Sequence, residues 1–228
     1  MKRICRYLPL TILLLCCLQL ATAQSLIDVN VGFGSANDKA PTTGLVLDPT
    51  GTTFVSCTPA QNSACSSPTS GLGGFFMGFG ANLMLWKHFG VGADVTLQPG
   101  KPSYAQLPAY YVNLKSRETF YEFNGIYQPV NTKKATLQLI GGIGGANTKY
   151  YTSSSAAGQI TSTTTYPFGS ANHFQIHAGA GVQIYLTDHV YVRPQFDFHY
   201  VPNFTQQYGS TTVIQGMVWL GYTIGDRQ

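Results

Sequence analysis

Charge is scarce in this chain. Lys, Arg, Asp and Glu make up 10% of its 228 residues, against roughly 25% in ordinary soluble domains. The formal net charge of +4 is small and dispersed, which argues against a nucleic-acid partner, since such proteins carry a basic stripe. Long apolar runs are missing too. The run from Leu8 to Leu20 is interrupted by Pro9 and Thr11, and it falls short of the about 20 apolar residues that a membrane-spanning helix needs. Cysteine is nearly absent once Cys5, Cys16 and Cys17 are set aside with the amino-terminal segment, leaving Cys57 and Cys65. No His or carboxylate lies between or beside that pair, which argues against a zinc site. Nothing in the composition marks a linker, so a single domain is expected.

The amino terminus supplies the compartment. Lys2, Arg3 and Arg6 precede the apolar run, and Ala21-Thr22-Ala23-Gln24 follows it as a small-x-small cleavage site. Residues 1–23 therefore read as a secretory signal peptide and 24–228 as the mature domain. In an exported chain Cys57 and Cys65 read as a disulfide, closing a small ring worth about 2.5 kcal/mol in the chain-entropy model.

What the chain has in quantity is glycine, 25 residues, and aromatics at 13%. The segment GLGGFFMGFGANLMLWKHFGVGADVTLQP, residues 71 to 99, shows how they are arranged. Phe75, Met77, Phe79, Ala81, Leu83 and Leu85 alternate with Gly74, Gly78, Gly80 and Asn82, with Phe76 and Met84 out of pattern. After Trp86-Lys87-His88 the alternation resumes, Phe89, Val91, Ala93, Val95 and Leu97 against Gly90, Gly92, Asp94, Thr96 and Gln98. Period two with a short break is a hairpin. One face is apolar and the other tiny or polar, so the apolar face needs a lipid partner while glycine makes room inside a narrow barrel.

The same pattern recurs in SLIDVNVGFG, ETFYEFNGIYQP, KATLQLIGGIGGA, HFQIHAGAGVQIYL, VYVRPQFDFHYV and VIQGMVWLGYTIG, which brings the strand count to eight. Short turns near 86–88, 128–133 and 187–189 alternate with long polar segments near 35–70, 99–116, 148–171 and 202–211. The expected fold is all-β, an eight-stranded antiparallel up-and-down transmembrane β-barrel with short periplasmic turns and long extracellular loops. Pro194 falls on the outward phase of the seventh strand, where it removes one ladder donor and predicts a bulge or local irregularity. His88 and His189 fall in periplasmic turns and are expected to be solvated. Trp86, Tyr110, Tyr111, Tyr150, Tyr151 and Tyr222 are candidates for interfacial anchors.

Strand phase also fixes neighbours in the lumen. If Tyr185 faces Tyr191 across the turn at Asp188, then Gln183 meets Arg193, Gly179 meets Asp197 and His177 meets His199; likewise Asp94 faces Gly80. Arg193 is the inward cation, and Asp28, Asp94, Glu122 and Asp197 are its candidate partners. The expected outcome is a hydrogen-bonded and ionic plug, because buried charge persists only when paired. A sharper reading sets His177, His199 and Asp197 at the outer rim as a metal-binding or proton-moving group.

With FYEFNGIYQP, GGIGGA, LTDHVYVRP and the final LGYTIG, the mature chain resembles the small OmpA-like outer membrane protein β-barrel domain family. That resemblance implies a monomer in the cell outer membrane, with outer-membrane lipid and the barrel-assembly machinery as partners and surface ligands met through the loops. The aromatic carboxy-terminal signal that such machinery reads is degenerate here, since Tyr222 and Ile224 are followed by Gly225-Asp226-Arg227-Gln228. No cofactor is called for. Lipid A deacylases among eight-stranded barrels use a His-x-Ser pair, whereas His177 is followed at that spacing by Gly179. The expected role is non-enzymatic, structural or surface-interacting. A narrow solute channel and a lipid-modifying enzyme are the alternatives.

Overall fold

A computed structural model describes residues 26–39, 43–47, 53–58, 64–66, 70, 72–107, 112–154, 164–204 and 208–225. The signal peptide, Tyr110 and Tyr111 lie outside the described residues.

Eight long strands close on themselves. They are β1 (Leu26–Asn37), β4 (Phe75–Met84), β5 (Phe89–Leu97), β7 (Val112–Asn131), β8 (Ala135–Ser154), β9 (Thr164–Tyr185), β10 (Val190–Tyr200) and β11 (Thr212–Ile224). Neighbours run β5-β4-β1-β11-β10-β9-β8-β7, all antiparallel, and the β5–β7 pairing closes the ring. Three short strands decorate it: β2 (Gly44–Leu47) pairs with β3 (Phe54–Cys57), and β6 (Ser103–Leu107) adds to the upper part of β7. The periplasmic turns are tight, closed by bonds such as Leu85 N to Phe89 O at 3.0 Å and Leu186 N to Val190 O at 2.8 Å.

The alternation decides which face meets lipid. Phe33, Phe75, Phe79, Val91, Phe123, Ile143, Phe174, Phe196 and Leu220 are all exposed on the outside, whereas Asp28, Asp94, Gln138, Gln183, Arg193 and His199 are buried inside. In water this would be an inverted protein; in a bilayer the outward apolar side chains keep hydrocarbon contact and the ladders bond the backbone around the ring. Phe89 stacks on Tyr127 at 4.9 Å near the periplasmic rim, and Phe33 on Phe75 at 5.9 Å on the opposite side.

Three departures from the sequence expectations stand out. The segments read as loops at 99–116 and 148–171 contain strand: β7 and β8 are 20 residues long and β9 is 22. Their upper halves continue past the top of β10, which stops at Tyr200 opposite Ile176, so β6, β7, β8 and β9 stand above the rest of the barrel wall as a small sheet. Thr152, Thr165 and Tyr166, from the segment read as a loop at 148–171, belong to it, with Thr152 paired to Tyr166. Second, the irregularity expected at Pro194 is a gap in the ladder and not a bulge. The β9–β10 ladder loses the pairs at Arg193 and Pro194 and resumes at Gln195 opposite Gly181 in unchanged register, because a missing N–H removes a bond without adding a residue. Third, Tyr150 and Tyr151 pack within the protruding sheet. Tyr150 packs against Tyr104 and Phe168, and Lys101 Nζ sits 4.3 Å over the Tyr151 ring.

Cys57 and Cys65 are joined as a disulfide. Cys57 ends β3 opposite Gly44, and Ser66, next to Cys65, accepts a hydrogen bond from Leu45 N at Oγ (2.7 Å) and donates from its own N to Leu45 O (2.9 Å). The bridge thus ties the β2–β3 hairpin to the short segment at Cys65 and Ser66.

Candidate functional site

Period-two phasing sends every predicted lumen residue inward, and all seven are buried: Asp28, Asp94, Glu122, His177, Arg193, Asp197 and His199. The register places His177 opposite His199, Gly179 opposite Asp197 and Gly80 opposite Asp94. Glycine supplies space for the acids. A Cβ on Gly179 would stand 1.9 Å from Asp197 Oδ1, and one on Gly80 would stand 1.9 Å from Asp94 Oδ1, closer than any real contact.

The partners differ from those expected. Glu122 gathers both histidines, with His199 Nδ1 3.1 Å from Oε1 and His177 Nε2 3.3 Å from Oε2. Gln175 Nε2 donates to Oε1 at 2.9 Å. The two imidazoles stack at 5.6 Å, and Phe120 stacks on His199 at 4.9 Å. Asp197, the carboxylate the sequence put beside them, instead accepts two bonds from Gln195 Nε2, each 2.9 Å. Glu122 wins because strand β7 lies across the lumen from β9 and β10, a relation that hairpin register alone cannot give.

Arg193 is paired with no described carboxylate. Its Nη1 donates to Gln138 Oε1 at 2.8 Å, its Nε and Nη2 meet no acceptor among the described residues, and its guanidinium lies 5.4 Å over the Trp219 ring. With its amide turned, Asn82 accepts from the same Nη1 at 3.1 Å. The acids are held by neutral donors: Asp94 Oδ2 by Asn124 Nδ2 at 2.7 Å, Asp28 by Thr223 Oγ1 at 2.6 Å and Gln183 Nε2 at 3.1 Å. The network is therefore a mesh of amides and hydroxyls around charge, not a set of ion pairs to one arginine. The described residues contain no cluster of three His, Cys, Asp or Glu able to hold a metal ion.

Above this mesh lies an apolar cap that the strand pattern does not announce. Leu72, Phe76, Phe120, Ala146, Val201, Phe204, Tyr208, Val213, Met217 and Trp219 form one buried cluster, which rises from Trp219, the ladder partner of Arg193, to Phe204 and Tyr208 beyond the end of β10. Phe204 stacks on Tyr208 at 3.8 Å and meets His173 edge-on at 5.6 Å. Gly32 and Gly78 leave space for Trp219, where a Cβ would come within 2.6 and 2.5 Å of its ring. A signal is present all the same: Phe76 and Phe120 break the alternation by being large and apolar on the inward phase. The rim histidines accordingly lie beneath a lid and not at an open edge.

The cap is latched by two carboxylates. Asp38 accepts from Ser70 Oγ and from Gly209 N at 3.2 Å, and Gly209 N also reaches Lys39 O at 2.8 Å. Glu118 Oε2 accepts from Thr148 Oγ1 at 2.7 Å and from Tyr208 Oη at 2.9 Å. Glu118 stands above the lipid belt, since the outward residues flanking it are Arg117 and Thr119. Burial dominates the bonds it accepts and pushes its carboxyl up to about 8; Asp38 is raised for the same reason. A raised acid binds its proton more tightly folded than unfolded, so stability falls as pH rises from the usual carboxylate range to about 8 and levels off beyond. Protection factors of the Tyr208 and Gly209 amides, which divide out the base-catalysed intrinsic rate, should therefore fall across that window, and Glu118→Gln should flatten their pH profile. An unchanged profile in the variant would rule out Glu118 as the latch.

The turn histidines are not free in solvent. His88 Nδ1 is 2.7 Å from Gln128 O, and His189 Nδ1 is 3.0 Å from Thr223 O. Gln128 N donates back to His88 O and Thr223 N to His189 O, both at 2.8 Å. Each histidine thus fastens its hairpin turn to the next strand.

No family model matches the chain, and no curated protein matches it in sequence. Among solved structures it is similar to a major outer membrane protein from Thermus thermophilus, with a TM-score of 0.54 and 9% identity over 88% of this chain and 99% of that one. It is also similar to Ail, the attachment invasion locus protein of Yersinia pestis, with a TM-score of 0.48 and 11% identity over 89% and 100%. For OprG of Pseudomonas aeruginosa the TM-score is 0.47 and the identity 12%, over 88% and 96%. Identity this low makes the likeness one of fold. The class that fold and lumen define is the eight-stranded outer-membrane-type barrel.

Proposed function

We propose that this chain is exported by a cleaved signal peptide to the outer membrane, where it works as a non-enzymatic, OmpA-like barrel. Its task is surface interaction through the protruding sheet and loops. The observation that carries the reading is the lumen, filled by buried polar side chains and capped by the Phe204 and Tyr208 cluster. A barrel packed in this way offers partners only its outer surface. The absence of a nucleophile two residues after His177, where Gly179 stands, supports a role without catalysis.

The test is conductance of the refolded mature chain in a planar bilayer. The wild type should be silent, and Phe120→Ala/Phe204→Ala, which removes two rings of the cap, should show stepwise openings. Steady conductance in the wild type that changes in Arg193→Ala would overturn this reading and make the lumen a gated channel.

A further inference from the structure

The outward face of the protruding sheet carries a cluster of cations. Along β7 the outward residues run from Phe123 and Tyr121 in the lipid belt, through Thr119, to Arg117 and Lys115. In the β7–β8 ladder Arg117 lies directly opposite Lys149, and Lys115 opposite Tyr151. Lys101 completes the group by sitting over the Tyr151 ring. Four cations therefore surround one tyrosine, with next-but-one neighbours on a strand about 7 Å apart and cross-strand neighbours about 5 Å apart.

Like charges set directly opposite each other in a ladder destabilise it. No described carboxylate faces outward at this level to offset them; Glu118 points inward to Thr148 and Tyr208. Arg117 is further held in place, its Nη2 donating to Pro99 O at 2.9 Å. The arrangement is that of a site awaiting an anion.

Height says which anion. Arg117 lies four residues above Tyr121 on the strand, which at the strand rise and barrel tilt is about 10 Å above the belt. The polar headgroup layer is about 5–8 Å deep on each side of the hydrocarbon, so these side chains reach lipid phosphates from above. We infer that Lys101, Lys115, Arg117 and Lys149 form a binding site for the phosphate groups of lipids in the outer leaflet. The inference rests on the membrane placement proposed above and adds a residue-level partner to it.

Native mass spectrometry of the refolded mature chain, titrated with phosphatidic acid, phosphatidylcholine or inorganic phosphate, tests the site. Wild-type protein should retain phosphatidic acid in preference to phosphatidylcholine. Arg117→Gln/Lys149→Gln should weaken that binding about 30-fold, from roughly one basic residue's surface attraction each. Lys133→Gln/Lys134→Gln, at a periplasmic turn, should leave it unchanged. Equal loss in both double variants, or none in the first, overturns the inference. So does inorganic phosphate competing as well as the lipid, which would make the source soluble. Heat-modifiable gel migration confirms that each variant is a closed barrel. A chain that does not insert into phosphatidylcholine vesicles overturns the membrane reading itself, whereas an inserted barrel without lipid preference overturns only this site.

Discussion

Glu122→Ala should lower the unfolding free energy of the barrel, measured by urea titration in lipid vesicles, by about 3–5 kcal/mol, the range for breaking a buried charged network by deleting one partner. Glu122 is where three side chains from two other strands converge: His177 and Gln175 from β9, and His199 from β10. Removing it leaves all three donors buried without their acceptor. Glu122→Gln keeps the shape and one oxygen and should cost about half as much. If Glu122→Ala loses less than about 1 kcal/mol, the carboxylate is a passenger and the lumen is held by its amides.

A second large effect comes from glycine space. Gly144→Val should prevent formation of the compact, heat-modifiable barrel, or destabilise it by at least about 3 kcal/mol, the upper part of the overpacking range. A Cβ there would stand 1.9 Å from Tyr121 O and 2.9 Å from Glu122 Cα. Both are backbone atoms fixed in the β7–β8 ladder, so no rotamer can give way. Gly141, three residues earlier, has nothing within 4 Å of its virtual Cβ and faces outward, so Gly141→Val should be nearly neutral. Gel migration and refolding yield of the pair decide the matter: equal behaviour would show that the inward glycines do not exist to make room.

The comparison of sequence with structure is uneven for a physical reason. Side-chain period fixes which face a strand residue takes, so Phe79 outside and Asp94 inside are legible, and hairpin symmetry yields the His177–His199 and Gly80–Asp94 pairs. Contacts across the lumen depend on tilt and stagger, which no single hairpin encodes. For that reason Glu122 emerges from the sequence only as a candidate partner of Arg193, while the histidines fall to Asp197. Strand extension is hidden because above the bilayer both faces become polar. Lys115-Ser116-Arg117 no longer alternates in hydrophobicity, although it still alternates in direction. The cap is visible only as exceptions, Phe76 and Phe120.

The bond from Thr223 Oγ1 to Asp28 Oδ1 joins residues 195 positions apart. Neighbouring strands elsewhere are joined by a single turn or loop, but this seam waits for the whole chain, and contacts of such separation make folding slow. Until it closes, β1 and β11 present unbonded edges that hydrocarbon does not tolerate. Circularisation and insertion must therefore be a single coupled event, with the two chain ends acting as the clasp that completes it.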